Sequence, residues 1–185
     1  MRIQLLAIAL VAASACASTQ PIAETVAPEA PLCAPGVQLG AVVVVPLTRW
    51  RPDQKEPAVR EAIAQRAIEA VAPATPCASS VKVLPMGADA QAGDRLAAAR
   101  AEGARTTLLI RIEELGPIMV LSFPALWSTW SDVVFTLEAI DAGTGARLRS
   151  IPHHRRKGGA FEARGLEPLQ GEMEQALRDV ISGPH

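Results

Sequence analysis

The sequence predicts one α/β (α+β) domain: a single mixed sheet with helices packed on it, in the order strand–helix–strand–helix–strand–strand–strand–helix. Three observations carry this expectation. Residues 39–47 (LGAVVVVPL) are an unbroken β-branched run, the pattern of a central strand covered on both faces. Residues 57–71 and 167–181 carry apolar side chains at helical spacing. Residues 131–151 hold two strand-like runs around Asp141-Ala142-Gly143-Thr144-Gly145, a hairpin turn with two glycines to take positive φ.

Taken in order, the chain opens on Arg2 and an apolar run at 5–12, followed by Ala13-Ser14-Ala15 and Cys16. This is the layout of an export signal over residues 1–15, too short to span a bilayer, which needs about 20 residues. Small residues before a cysteine resemble a lipobox, the cleavage site of bacterial lipoproteins. The resemblance implies that Cys16 becomes the first mature residue and carries acyl chains that hold the protein to a membrane. It also implies the periplasmic face of the outer membrane, because Ala17 rather than Asp follows the cysteine. The alternative is an ordinary secretory signal cut after Ala15 or Ala17, which leaves a soluble periplasmic protein. Residues 16–37 are rich in Ala, Pro, Ser and Thr without a period, and read as a flexible tether. The domain proper is expected over 38–185.

Within that domain Pro46 ends the first strand, and Trp50 lies in the polar loop 48–56 as either a binding handle or a cap on the core. Pro57 suits a first helical turn. Val59, Ile63, Ala67 and Val71 are expected on the buried face of this helix, with Arg60, Glu61 and Arg66 off it. Residues 81–84 (VKVL) form a short second strand. A helix over 94–102 starts at Asp94 as cap and stops at Gly103 in the left-handed conformation. Residues 105–115 alternate as a third strand, 131–140 and 146–151 form the hairpin, and the last helix buries Leu169, Met173, Leu177 and Val180.

Composition narrows the function classes. Formal net charge is −1, which disfavours a general nucleic-acid binder. Aromatics are 3% and Tyr is absent, so stacking platforms are few. With Cys16 lipidated, Cys33 and Cys77 remain, and export to an oxidising space favours a disulfide between them. No nearby His or Cys completes a tetrahedral set with that pair, so no metal is expected.

Two segments are candidate partner-binding surfaces. Residues 116–130 (GPIMVLSFPALWSTW) gather Phe123, Trp127 and Trp130. Either they cover the end of the sheet, or they form an exposed apolar loop that docks on a partner or dips into a membrane. The second segment is His153-His154-Arg155-Arg156-Lys157. It reads either as an edge strand guarded by its charges or as a patch for an anionic surface. Adjacent histidines on a strand point to opposite faces, which makes them a poor metal pair.

The motifs VVVVPL at 42–47, ARAEGARTTLLIRI at 99–112 and VVFTLEAIDAGTGARLRS at 133–150 make the chain similar to a group of bacterial envelope domains. That group holds the N-terminal domain of the Tol-system propeller protein, the periplasmic domain of the curli secretion lipoprotein, and the lipoprotein activator of a penicillin-binding protein. Gly103-Ala104 and Thr144-Gly145 match turns common in the group. The likeness covers roughly residues 38–183 and implies a lipid-anchored binding or assembly domain with an envelope protein as partner. No catalytic motif is found: there is no Gly-x-Ser-x-Gly elbow, no His-Glu-x-x-His, and Gly87-Ala88-Asp89 lacks the glycines and Lys of a phosphate loop, so no cofactor is expected. The rival functions are a periplasmic enzyme or small-ligand carrier, with a pocket near 123–130 and Asp132, His153 and His154 meeting in space, and a subunit of a secretion assembly.

Overall fold

The four valines at 42–45 divide their side chains between two cores. Val42 and Val44 enter the larger one, Val43 and Val45 a smaller one on the opposite face. That division places their strand inside a sheet with helices on both sides, as the unbroken run demands. The computed structural model of the chain describes residues 22–26, 30–86, 90–121 and 127–184. Its strands are β1 (Ile22–Val26), β2 (Gly40–Thr48), β3 (Ala78–Val83), β4 (Thr106–Val120), β5 (Ser128–Asp141) and β6 (Arg147–Ala160). The helices are α1 (Pro57–Val71), α2 (Ala92–Ala101) and α3 (Leu169–Ser182), with a 3-10 turn at Ala72–Ala74. All six strands form one mixed sheet in the order β1-β6-β5-β4-β2-β3. β2 runs parallel to β3 and β4, and the other pairs are antiparallel.

Helices α1 and α3 pack on each other and on one face of the sheet. The α3 stripe is the expected one, with Leu169, Met173, Leu177 and Val180 all buried. α2 sits on the other face, where Ala99 meets Val43, Val45 and Leu109. Gly103 takes φ +73 just beyond α2, and Gly145 takes φ +78 in the β5–β6 turn, each in the left-handed region that favours glycine. The turn is further closed by Asp141, whose Oδ1 accepts from the Thr144 amide at 2.7 Å and hydroxyl at 2.8 Å. Those bonds hold the Asp141 carboxyl below its usual pKa.

The structure departs from the sequence reading in five places. Residues 22–26, inside the expected tether, form β1 on the open side of β6, and residues 30–33 are also tied down. Leu32 is buried, its amide and that of Cys33 donate to the α3 carbonyls of Val180 and Ile181 at 2.8 and 2.9 Å, and Arg149 donates to the carbonyls of Ala30 and Pro31. These contacts satisfy carbonyls that a helix end leaves without partners. Second, the basic run 153–157 lies within β6 and not on an edge, because β1 covers it.

Third, β4 and β5 extend through most of 116–130, leaving a far shorter loop than expected. Pro117 is tolerated there because β2 pairs with β4 only as far as Ile112, so beyond it β4 is an edge strand. Fourth, α1 buries Ile63, Ala67 and Val71 as expected, but its first turn differs: Arg60 is buried and Val59 exposed. The Arg60 guanidinium donates to the carbonyls of Leu115 and, at 2.7 Å through Nε, of Lys55. Fifth, Asp94 is not the residue before α2 but its third; it accepts from the Gln91 amide at 3.2 Å.

Cys33 and Cys77 are joined in a disulfide, with Cα atoms 5.3 Å apart, which fastens the segment before β2 to the start of β3. Trp50 is half-buried against the larger core, the cap of the two readings the sequence left open.

Candidate docking surface

Beyond Ile112 the strands β4, β5 and β6 run on together past the end of β2, with β1 beside β6 from His154 to Gly158, forming an arm. Register carries the arm across in rows: Ile118 faces Trp130, and Trp130 faces Gly158. One step further out are Met119, Thr129 and Gly159, and the backbone pairing continues as the Phe161 amide donates to the Trp127 carbonyl at 3.0 Å.

Apolar side chains stand in solvent at this tip. Leu121 is 77% exposed, Met119 66%, Phe161 56% and Trp127 39%. Trp127 and Phe161 meet edge to face with ring centroids 5.4 Å apart, a preferred aromatic geometry. Phe161 has φ 62, the left-handed region that a bulky side chain rarely enters. Scattered single apolar residues on a surface are ordinary; four together at the end of one element are a patch. Trp130, one row back, is half-buried under the Arg156 guanidinium, 5.8 Å above its ring. Phe123 and Cys16 lie outside the described residues.

The basic run is divided between the two faces of β6. His153 and Arg155 face the helix layer. His153 is buried beside Phe135, ring centroids 5.2 Å apart, and neither ring nitrogen has a hydrogen-bond partner among the described residues. Burial lowers its pKa below the usual histidine value; Asp179 opposes the shift, while Arg155 and His154 add to it. Arg155 pairs with Asp179 of α3 at 3.1 Å. On the other face Arg156 grips both oxygens of the buried Asp132 at 2.7 Å, and His154 Nε2 lies 3.4 Å from the same carboxylate. Lys157 makes no ion pair among the described residues. Most of the run's charge is therefore spent inside the molecule.

This arrangement bears on the catalytic reading of the same residues. Asp132 meets His154 but not His153, which is on the other face of the sheet. A groove of about 320 Å³ runs beside the arm, lined among others by Arg51, Lys55, Arg60, Glu114 and Ile118. In it Arg51 bonds the buried Glu114 at 3.1 Å, and the same carboxylate opposes the fall that burial imposes on the Arg60 pKa. Among the described residues no helix is long and apolar enough to cross a membrane.

No protein-family model and no curated protein matches the chain. It is similar to solved structures. PelC from Paraburkholderia phytofirmans, described as a dodecamer, is 20% identical with a TM-score of 0.49, over 89% of this chain and 96% of that one. The lipoprotein GNA1162 from Neisseria meningitidis is 19% identical with a TM-score of 0.45, over 79% and 99%. The C-terminal domain of LpoB from Escherichia coli is 15% identical with a TM-score of 0.42, over 70% and 88%.

The tip was partly visible in the sequence. Trp127 and Trp130 were singled out, and the structure keeps the first exposed and tucks the second under Arg156. Phe161 was missed. Its signal was a lone aromatic after Gly158-Gly159-Ala160, and only register brings it beside Trp127.

Proposed function

We propose that this chain is a lipid-anchored domain of the bacterial envelope, held to the outer membrane through Cys16, that docks without catalysis on another envelope component through the tip of its arm. The observation that carries the reading is the exposed patch of Met119, Leu121, Trp127 and Phe161 at the end of an otherwise well-packed sheet. Interfaces draw their affinity from a few aromatic and apolar anchors, while exposed charges mostly tune association rate. The spent charges of 153–157 make the basic run the weaker candidate for the same task. The residues before the domain support the anchor: an apolar run, small residues and then Cys16.

Three measurements test this. Cys16→Ser is expected to abolish fatty-acid labelling and to release the protein into the soluble periplasm, nearly all-or-none, because several acyl chains hold firmly where one does not. Unchanged membrane retention would defeat the anchor. Trp127→Ala with Leu121→Glu is expected to leave the melting temperature within a few degrees, since both side chains are exposed, while cross-linking to envelope components is lost. Hydrolysis of an envelope polymer by the purified protein would defeat the non-catalytic reading.

A further inference from the structure

Resting on that reading, we infer that the component met by the tip of the arm is the lipid headgroup layer of the membrane to which the chain is anchored. The argument begins with strand direction. β1 runs antiparallel to β6, with Ile22 opposite Gly158 and Val26 opposite His154. Ile22 therefore belongs to the same row as Gly158, Trp130 and Ile118, and the chain that precedes Ile22 joins the sheet from the side of the tip. Cys16 is six positions before Ile22 in the sequence. Six residues fully extended reach at most about 20 Å. A lipid on Cys16 thus holds Ile22, at the β1 end of that row, within that distance of the headgroups, and Trp130 lies two strands, about 10 Å, along the row from it.

The chemistry of the tip suits a bilayer surface. Met119, Leu121 and Phe161 offer apolar side chains without charge, and Trp127 is the residue type that settles at the boundary between acyl chains and headgroups. Lys157, in the row between Trp130 and the helix-covered part of the sheet, is a cation with no ion pair among the described residues, and anionic lipids attract such a charge. A second protein is the less favoured occupant. A standard interface uses about 20–30 residues a side, and the end of the arm offers a handful.

The test uses the acylated lipoprotein purified from membranes and reconstituted in vesicles of phosphatidylethanolamine with a minority of phosphatidylglycerol. Lipids brominated near the headgroup end of the acyl chain quench the fluorescence of a Trp that touches them. The chain has three Trp, so the contribution of Trp127 is read as the difference from Trp127→Phe. The expected result is strong quenching that falls at least severalfold in Trp127→Phe, and also in Met119→Glu with Leu121→Glu, whose melting temperature is unchanged. Equal quenching in the unsubstituted protein and Trp127→Phe, in vesicles that the protein floats with, would overturn the inference, as would failure to float. If Trp127 is unquenched but the tip cross-links to an envelope protein and Leu121→Glu abolishes the product, the lipid contact falls and the docking reading stands. If Trp127 is unquenched and no such product forms, both fall.

Discussion

His153 is a buried imidazole with no hydrogen-bond partner on either nitrogen among the described residues, so its surroundings favour the neutral form. Its pKa in the folded chain lies below the ordinary value of 6.5, chiefly because burial disfavours the charged ring. Near and below that value the unfolded chain binds a proton that the folded chain does not. The stability this provides is therefore present above about pH 6.5 and is lost as pH falls through the folded pKa. Asp179 faces the ring but is already engaged by Arg155, and His154 lies across the sheet. Melting curves from pH 8 to 5 are expected to show a fall that His153→Leu flattens. Arg60 shows why single residues escape a pattern reading. Spacing by four selected Val59 and set Arg60 aside as polar. A long side chain can bury its stem and spend its guanidinium on carbonyls, here those of Lys55 and Leu115, and so Arg60 joins the buried face that Ile63, Ala67 and Val71 share.

At the scale of elements, the strands and helices whose side chains repeat were legible and the ones defined by backbone alone were not. The valine run and the Leu169-Met173-Leu177-Val180 stripe report directly on burial. β1 has no such pattern: IAETV pairs with β6 through main-chain bonds that any non-proline sequence can make. The arm was hidden by Gly116 and Pro117, which read as breakers until β4 is known to be an edge there. Likewise Asp132 and Asp179, the partners of Arg156 and Arg155, lie 24 residues away in sequence, beyond the reach of a local pattern. Gly158 gives the arm its most exacting position. A Cβ there would fall 2.2 Å from the Thr129 carbonyl oxygen and 2.9 Å from Trp130 Cα, both backbone atoms that cannot swing aside. Gly158→Ala is expected to cost about 1–3 kcal/mol. Amide exchange should quicken at 128–131 and 158–161 while β2 stays protected; unchanged exchange at the tip would show that the arm tolerates the methyl group.

For the whole molecule, the disulfide joins the N-terminal segment to the domain covalently, beside the hydrogen bonds of β1 and of residues 30–33. Cys33 and Cys77 are 44 residues apart, and closing a loop of that length is worth about 4 kcal/mol in the chain-entropy model. The double substitution Cys33→Ala with Cys77→Ala is expected to lower stability by about that amount, and reductant should bring the unsubstituted protein to the same melting temperature. A reductant-insensitive melting curve in the unsubstituted protein would contradict this. The same covalent link, together with the direction of β1, decides how the protein bears a mechanical load. A pull on the chain before Ile22 acts along the axis of β1, so the bonds between β1 and β6 are sheared together rather than unzipped one after another. Should they give way, slack passes to the chain as far as Cys33 and stops there, because force then crosses the sulfur bridge to the start of β3. The valine strand β2 and helix α1 lie between Cys33 and Cys77, inside the closed loop, and are shielded from a tug on the anchor.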